Sequence, residues 1–215
     1  MIVQGHKEYG AGQPLVVLQG EALGTVSRSL LREITTSGVL GHKIVVLNIA
    51  DFGSDSDKAA VDVLSYLDGI GIRAATILGV GEVGTVAIAF TLAEKKRVRR
   101  LILVDTPVRP KSTWRENLIR WCEDKLPLGL PFRKDSDGFD ARSYLQRIRC
   151  PTLVVTTPDA GQDLQAQAEH ESRALATAWF DFVANTDRFK ALLTDFLEVP
   201  AKRPQKNRDF TKASA

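Results

Sequence analysis

The chain has 215 residues, 44% of them hydrophobic and 26% charged, which is ordinary for a globular protein and enough for one sizeable core. No apolar run approaches the roughly 18–20 residues of a membrane-crossing helix, and residues 1–10 show no basic segment followed by an apolar one, so no secretory signal is expected. The net charge of +3 is uneven: residues 199–215 hold Lys202, Arg203, Lys206, Arg208 and Lys212 against Asp209, while the rest of the chain is near neutral.

Strands and helices then alternate. Residues 14–18 (PLVVL) read as a short strand ending at Gln19-Gly20. A helix is predicted over 26–36, with Leu30, Leu31 and Ile34 at helical spacing. Residues 43–48 (KIVVLN) form a second buried strand, and 57–67 a helix with Ala60, Val61, Val63, Leu64 and Leu67 on one side. A strand over 74–78 (AATIL), an apolar helix over 83–94 and a strand over 100–104 (RLILV) follow. Continuous apolar runs separated by helices imply a parallel sheet covered on both faces.

Residues 106–147 break the pattern. They contain Pro107, Pro110, Pro127 and Pro131 and no convincing core strand. A surface helix is predicted over 112–125, with Thr113 and Glu116 as a capping box and Trp114, Leu118 and Trp121 on one stripe. Alternation resumes with a strand over 152–155 (TLVV), a helix over 164–176, a strand over 179–183 and a helix over 187–197. The expected organisation is one domain over 1–198, with an insert at about 107–147, and a basic flexible tail over 199–215.

Four segments in this order resemble the α/β-hydrolase superfamily, specifically its short-lid esterases and haloperoxidases. Gly10-Ala11-Gly12-Gln13-Pro14-Leu15-Val16-Val17-Leu18-Gln19-Gly20 is similar to the family's opening strand and oxyanion loop. Asp51-Phe52-Gly53-Ser54-Asp55-Ser56 resembles the loop after the next strand. Arg97-Val98-Arg99-Arg100-Leu101-Ile102-Leu103-Val104-Asp105-Thr106 resembles the strand after the nucleophile helix, and Ile148-Arg149-Cys150-Pro151-Thr152-Leu153-Val154-Val155 the strand before the catalytic acid. The resemblance implies a doubly wound, mostly parallel sheet with a short helical lid insert.

It also implies where a Ser-His-Asp set would stand. The serine belongs in a strained Gly-x-Ser-x-Gly turn between strand and helix. Here that turn reads Gly79-Val80-Gly81-Glu82-Val83, so Gly81 holds the nucleophile position without a side chain. The histidine belongs between the last strand and the last helix, and residues 183–189 contain none. His6, His42 and His170 do not match the position. Asp159 and Asp105 occupy the two acid positions, with loop capping as their alternative duty. Gln19 stands where the oxyanion loop usually has histidine, and Glu82 supplies a carboxylate at the helix start. These losses point to a noncatalytic pseudo-hydrolase that binds, scaffolds or joins a complex, with Gly81, Asp159 and Asp105 as vestiges. Gln19, Glu82, Trp114 and Trp121 are its candidate pocket or partner surface.

Two other readings remain. One is an esterase-like enzyme with an atypical site. The other is NAD(P) binding, because Gly79-x-Gly81-x-x-Gly84 follows a strand, opens a helix, and precedes Asp105 at the end of the next strand. Glu82 beside the phosphates and the late place of the motif in the chain argue against the second. No cofactor is therefore expected. A protein partner or a second copy is expected, and nucleic acid only as weak contacts through the tail. Lys95, Lys96, Arg97, Arg99 and Arg100 read as a solvated helix end. Cys122 and Cys150 offer neither a disulfide framework nor zinc spacing and are expected to be reduced thiols in a cytoplasmic compartment, with Cys150 buried and inert.

Overall fold

The computed structural model describes residues 3–21, 23–39, 41–49, 56–107 and 141–198. Its elements are β1 (Val3–Gly10), β2 (Gln13–Gln19), α1 (Thr25–Ser37), β3 (His42–Ile49), α2 (Ser56–Gly69), β4 (Ala75–Val80), α3 (Gly84–Ala93), β5 (Val98–Val104), β6 (Thr152–Thr156), α4 (Gly161–Ser172), β7 (Ala178–Phe182) and α5 (Thr186–Glu198). The strands form one 7-stranded sheet in the order β1-β3-β2-β4-β5-β6-β7. β1 pairs with β3 antiparallel, and every other pairing is parallel.

The apolar runs are continuous because both faces of the sheet are covered. Val16, Leu18, Val45, Leu47, Ile77, Leu101 and Leu103 face the layer that holds α2, α3 and Ala168 of α4. Leu15, Val17, Ile44, Val46, Leu78, Ile102 and Val155 face α1 and α5. Adjacent side chains of one strand thus enter opposite cores. α3 is the most enclosed helix, with Val86 through Phe90 all buried.

Three departures from the sequence expectations have local causes. β1 was not anticipated because it is an edge strand with one partner. It carries exposed His6, Lys7 and Glu8, so no two-sided apolar run marks it. The helix expected over 83–94 is divided: a 3-10 turn spans Gly81–Val83, and α3 starts at Gly84. The helix expected over 164–176 starts earlier and ends at Ser172. Leu175 reaches the core from the turns that follow. The expected helix over 112–125, with Trp114 and Trp121, and the tail over 199–215 lie outside the described residues, as does the loop over 51–55.

Candidate functional site

The C-terminal ends of β2, β4, β5 and β6 lie side by side. Leu18 is level with Gly79, Gly79 with Leu103, and Val104 with Val155. This register brings Gln19, Gly81, Glu82, Asp105 and Asp159 to one edge of the sheet.

Gly81 forms the turn between β4 and α3. Its φ of +61° lies in the left-handed region, where glycine carries no Cβ penalty. A Cβ built there meets nothing within 4 Å. The flanking glycines have another reason. A Cβ on Gly79 would stand 2.7 Å from the Gly84 Cα and 2.8 Å from the Ala87 Cβ. A Cβ on Gly84 would overlap the Thr106 side chain. Gly79 and Gly84 therefore permit the close strand–helix approach, and Gly81 permits the turn. Gly20, after β2, abuts the same turn: its Cβ would come 3.0 Å from Val83 Cγ2.

The side chains around this turn are mostly engaged with one another. Gln19 Nε2 donates to Asn48 Oδ1 at 2.7 Å. Glu82 is exposed, and its carbonyl accepts from Thr85 Oγ1 at 2.8 Å. Asp105 is buried, with φ at +49°, an uncommon backbone for a residue with a side chain. Its carboxylate accepts from Ser27 Oγ at 2.6 Å, Thr157 Oγ1 at 2.6 Å and the Thr157 amide at 2.8 Å. Asp105 thus ties the ends of β5 and β6 to α1.

Asp159 has a related task. Its Oδ2 accepts from the Val26 amide at 2.6 Å and the Ser27 amide at 3.3 Å. The first amides of a helix have no partner within it, and the N-cap of α1, Gly24, has no side chain to offer. Asp159 supplies that cap from a distant segment. Gly24 must be glycine-sized, because its Cβ would lie 2.8 Å from the Asp159 Cβ. Ser27 and Thr157 complete this knot and were not singled out in the sequence. The available signal was a serine on the stripe of α1 that carries Leu30, Leu31 and Ile34.

None of the histidines reaches this edge. His6, on edge strand β1, contacts Tyr66 Oη of α2 at 2.8 Å. His42 opens β3, at the opposite end of the sheet, and His170 is in the last turn of α4. The connection from β7 to α5 is residues 183–185, and Asn185 Oδ1 accepts from the Arg188 amide at 2.9 Å. Among the described residues no group of three His, Cys, Asp or Glu converges as a metal site. Cys150 lies before β6, half-buried and free; burial pushes its thiol up to about 11. Trp114 and Trp121 lie outside the described residues.

No family model and no curated protein matches the chain. Solved structures do. A thermophilic esterase from Thermogutta terrifontis aligns over 90% of this chain and 92% of its own, with a TM-score of 0.66 at 17% identity. The enol-lactonase from Burkholderia xenovorans LB400 aligns over 92% and 98%, with a TM-score of 0.66 at 19% identity. A bromoperoxidase from Bacillus anthracis aligns over 90% and 94%, with a TM-score of 0.64 at 13% identity. The sheet order, the strand–turn–helix at Gly81 and these neighbours together identify the architecture: the chain has the α/β-hydrolase fold.

Proposed function

We propose that this chain is a noncatalytic α/β-hydrolase-fold protein that acts by binding, as a scaffold or subunit of an assembly. Gly81 carries the reading. The backbone that would lift a nucleophile above the sheet is in place at φ +61°, and it bears no side chain. Acyl transfer at this turn needs a nucleophile, a base within hydrogen-bond reach and a group orienting that base. The two carboxylates at the acid positions instead accept from α1 and Thr157. The free Cys150 thiol supports a reducing, cytoplasmic setting as part of the same proposal. Among the described residues no helix is long and apolar enough to cross a membrane.

Exposure of the purified chain to a fluorophosphonate, followed by intact-mass measurement, tests this reading. No covalent adduct is expected. A stoichiometric adduct at the edge holding Gln19 and Glu82 would overturn it. The dinucleotide reading would use the Asp105 carboxylate for a ribose, and that carboxylate already accepts three hydrogen bonds. Titration with NADH is accordingly expected to leave its fluorescence without a saturable change.

A further inference from the structure

At the opposite end of the sheet, basic side chains arrive from three separate segments. Arg73 precedes β4. Lys95 and Lys96 lie in the turn into β5, and Arg99 is the second residue of β5. Arg147 ends the 3-10 turn Ala141–Arg147, and Arg149 leads into β6. All six are exposed. β4, β5 and β6 are adjacent and parallel, so their starts lie within roughly 10 Å across the sheet.

The side chains extend along this end. Arg99 Nη1 crosses to Gln13 Oε1 at the start of β2, 2.9 Å away. The Arg147 guanidinium lies over the exposed Tyr144 ring, 5.2 Å from its centroid. Arg97, in the same turn, is held by Asp68 at 2.7 Å and by the Ile72 carbonyl at 2.7 Å; this pair cancels in charge. Glu94 is the one other acid in these segments, against six cations, a local excess of five. That exceeds the whole chain's net charge of +3, so all other residues together carry a net negative charge, even with the basic residues 199–215 counted among them.

We propose that this end is a docking surface for the phosphodiester backbone of a nucleic acid. The features favour that partner over a membrane or a protein. Four of the six are arginines, whose planar guanidinium matches phosphate oxygens. Tyr144 offers a ring on which a base can stack. Tyr144 is also the one large exposed hydrophobic among these segments, whereas protein interfaces have an apolar centre and membrane surfaces take an apolar face. Such a surface reads charge and spacing and carries little sequence preference. It is independent of whether the edge at Gly81 turns over a substrate.

The test is fluorescence anisotropy of the full chain with a labelled mixed-sequence DNA duplex and a labelled single-stranded RNA, from low to physiological salt. Binding to at least one is expected, weakening with salt at a log–log slope of about −3 to −5. Reversal at Arg73→Glu, Arg99→Glu and Arg149→Glu together is expected to weaken it at least about 30-fold and flatten the slope. The neutral set Arg73→Gln, Arg99→Gln and Arg149→Gln gives a smaller loss. Reversal of Lys7, Arg28 and Arg32, on β1 and α1, leaves it within about threefold. Melting temperatures identify any set that fails to fold, and the neutral set then decides. Three results would overturn the proposal. They are no binding at low salt, loss only when Lys202, Arg203, Lys206, Arg208 and Lys212 are changed to Gln, and binding of phosphatidylglycerol vesicles but neither nucleic acid.

Discussion

Gly81 and Gly84 stand three residues apart, yet a Cβ at one points into open space and at the other strikes Thr106. Gly81→Ala is therefore expected to cost only the left-handed backbone penalty, about 1–2 kcal/mol. Gly84→Ala should cost about 1–3 kcal/mol or more, because Thr106 and α3 must separate. Urea unfolding of both variants measures the difference, and the reverse ranking would contradict the packing described. Gly81→Ser should fold with a similar penalty and still show no fluorophosphonate adduct, because no base stands beside the new hydroxyl. The glycine pattern was visible in the sequence, but its physical reasons were not. One spacing contained a positive φ at Gly81 and two close contacts at Gly79 and Gly84. Only coordinates separate these. Cys150 is simpler. With its thiol pushed up to about 11 by burial, it remains protonated through pH 8. Ellman's reagent should modify it slowly in the folded protein and rapidly in denaturant.

At the scale of elements, α1 is held by residues from the far side of the chain. Asp159 caps its first amides and Asp105 binds Ser27. Asp159→Ala should destabilise by about 1–2 kcal/mol, as for loss of an N-cap. Asp105→Ala should cost about 3 kcal/mol or more, because it strands the buried donors of Ser27 and Thr157. The double variant should fall short of the sum, since Ser27 donates to both carboxylates, from its amide to Asp159 and from its hydroxyl to Asp105. Chemical unfolding of the three variants checks both the order and the coupling. At the other end of the sheet, the Arg97 guanidinium beside Asp68 holds that carboxyl below its usual range. A carboxyl lowered on folding stabilises above its unfolded value and loses that contribution on acidification. The melting-temperature deficit of Asp68→Asn should thus be full at neutral pH and shrink as pH falls below ~4.

For the molecule as a whole, the parallel core was legible because residues 14–18, 43–48 and 100–104 are buried on both faces and read as unbroken apolar runs. β1 was illegible for the complementary reason: an edge strand bearing His6, Lys7 and Glu8 needs no such run. At the candidate site, the absence of a side chain at Gly81 and of a histidine in 183–185 could be read directly. The Asp159–α1 cap could not, because its partners are separated by 133 residues and no periodicity connects them. The basic end was equally hidden. Arg73, Arg99 and Arg149 become neighbours only once β4, β5 and β6 are aligned. On the proposed function, the hydrolase fold is kept here without its chemistry. Steady-state hydrolysis of short p-nitrophenyl esters, wild type against Glu82→Gln, tests it most directly. No saturable turnover is expected in either protein. Saturable turnover in wild type that Glu82→Gln abolishes would contradict it.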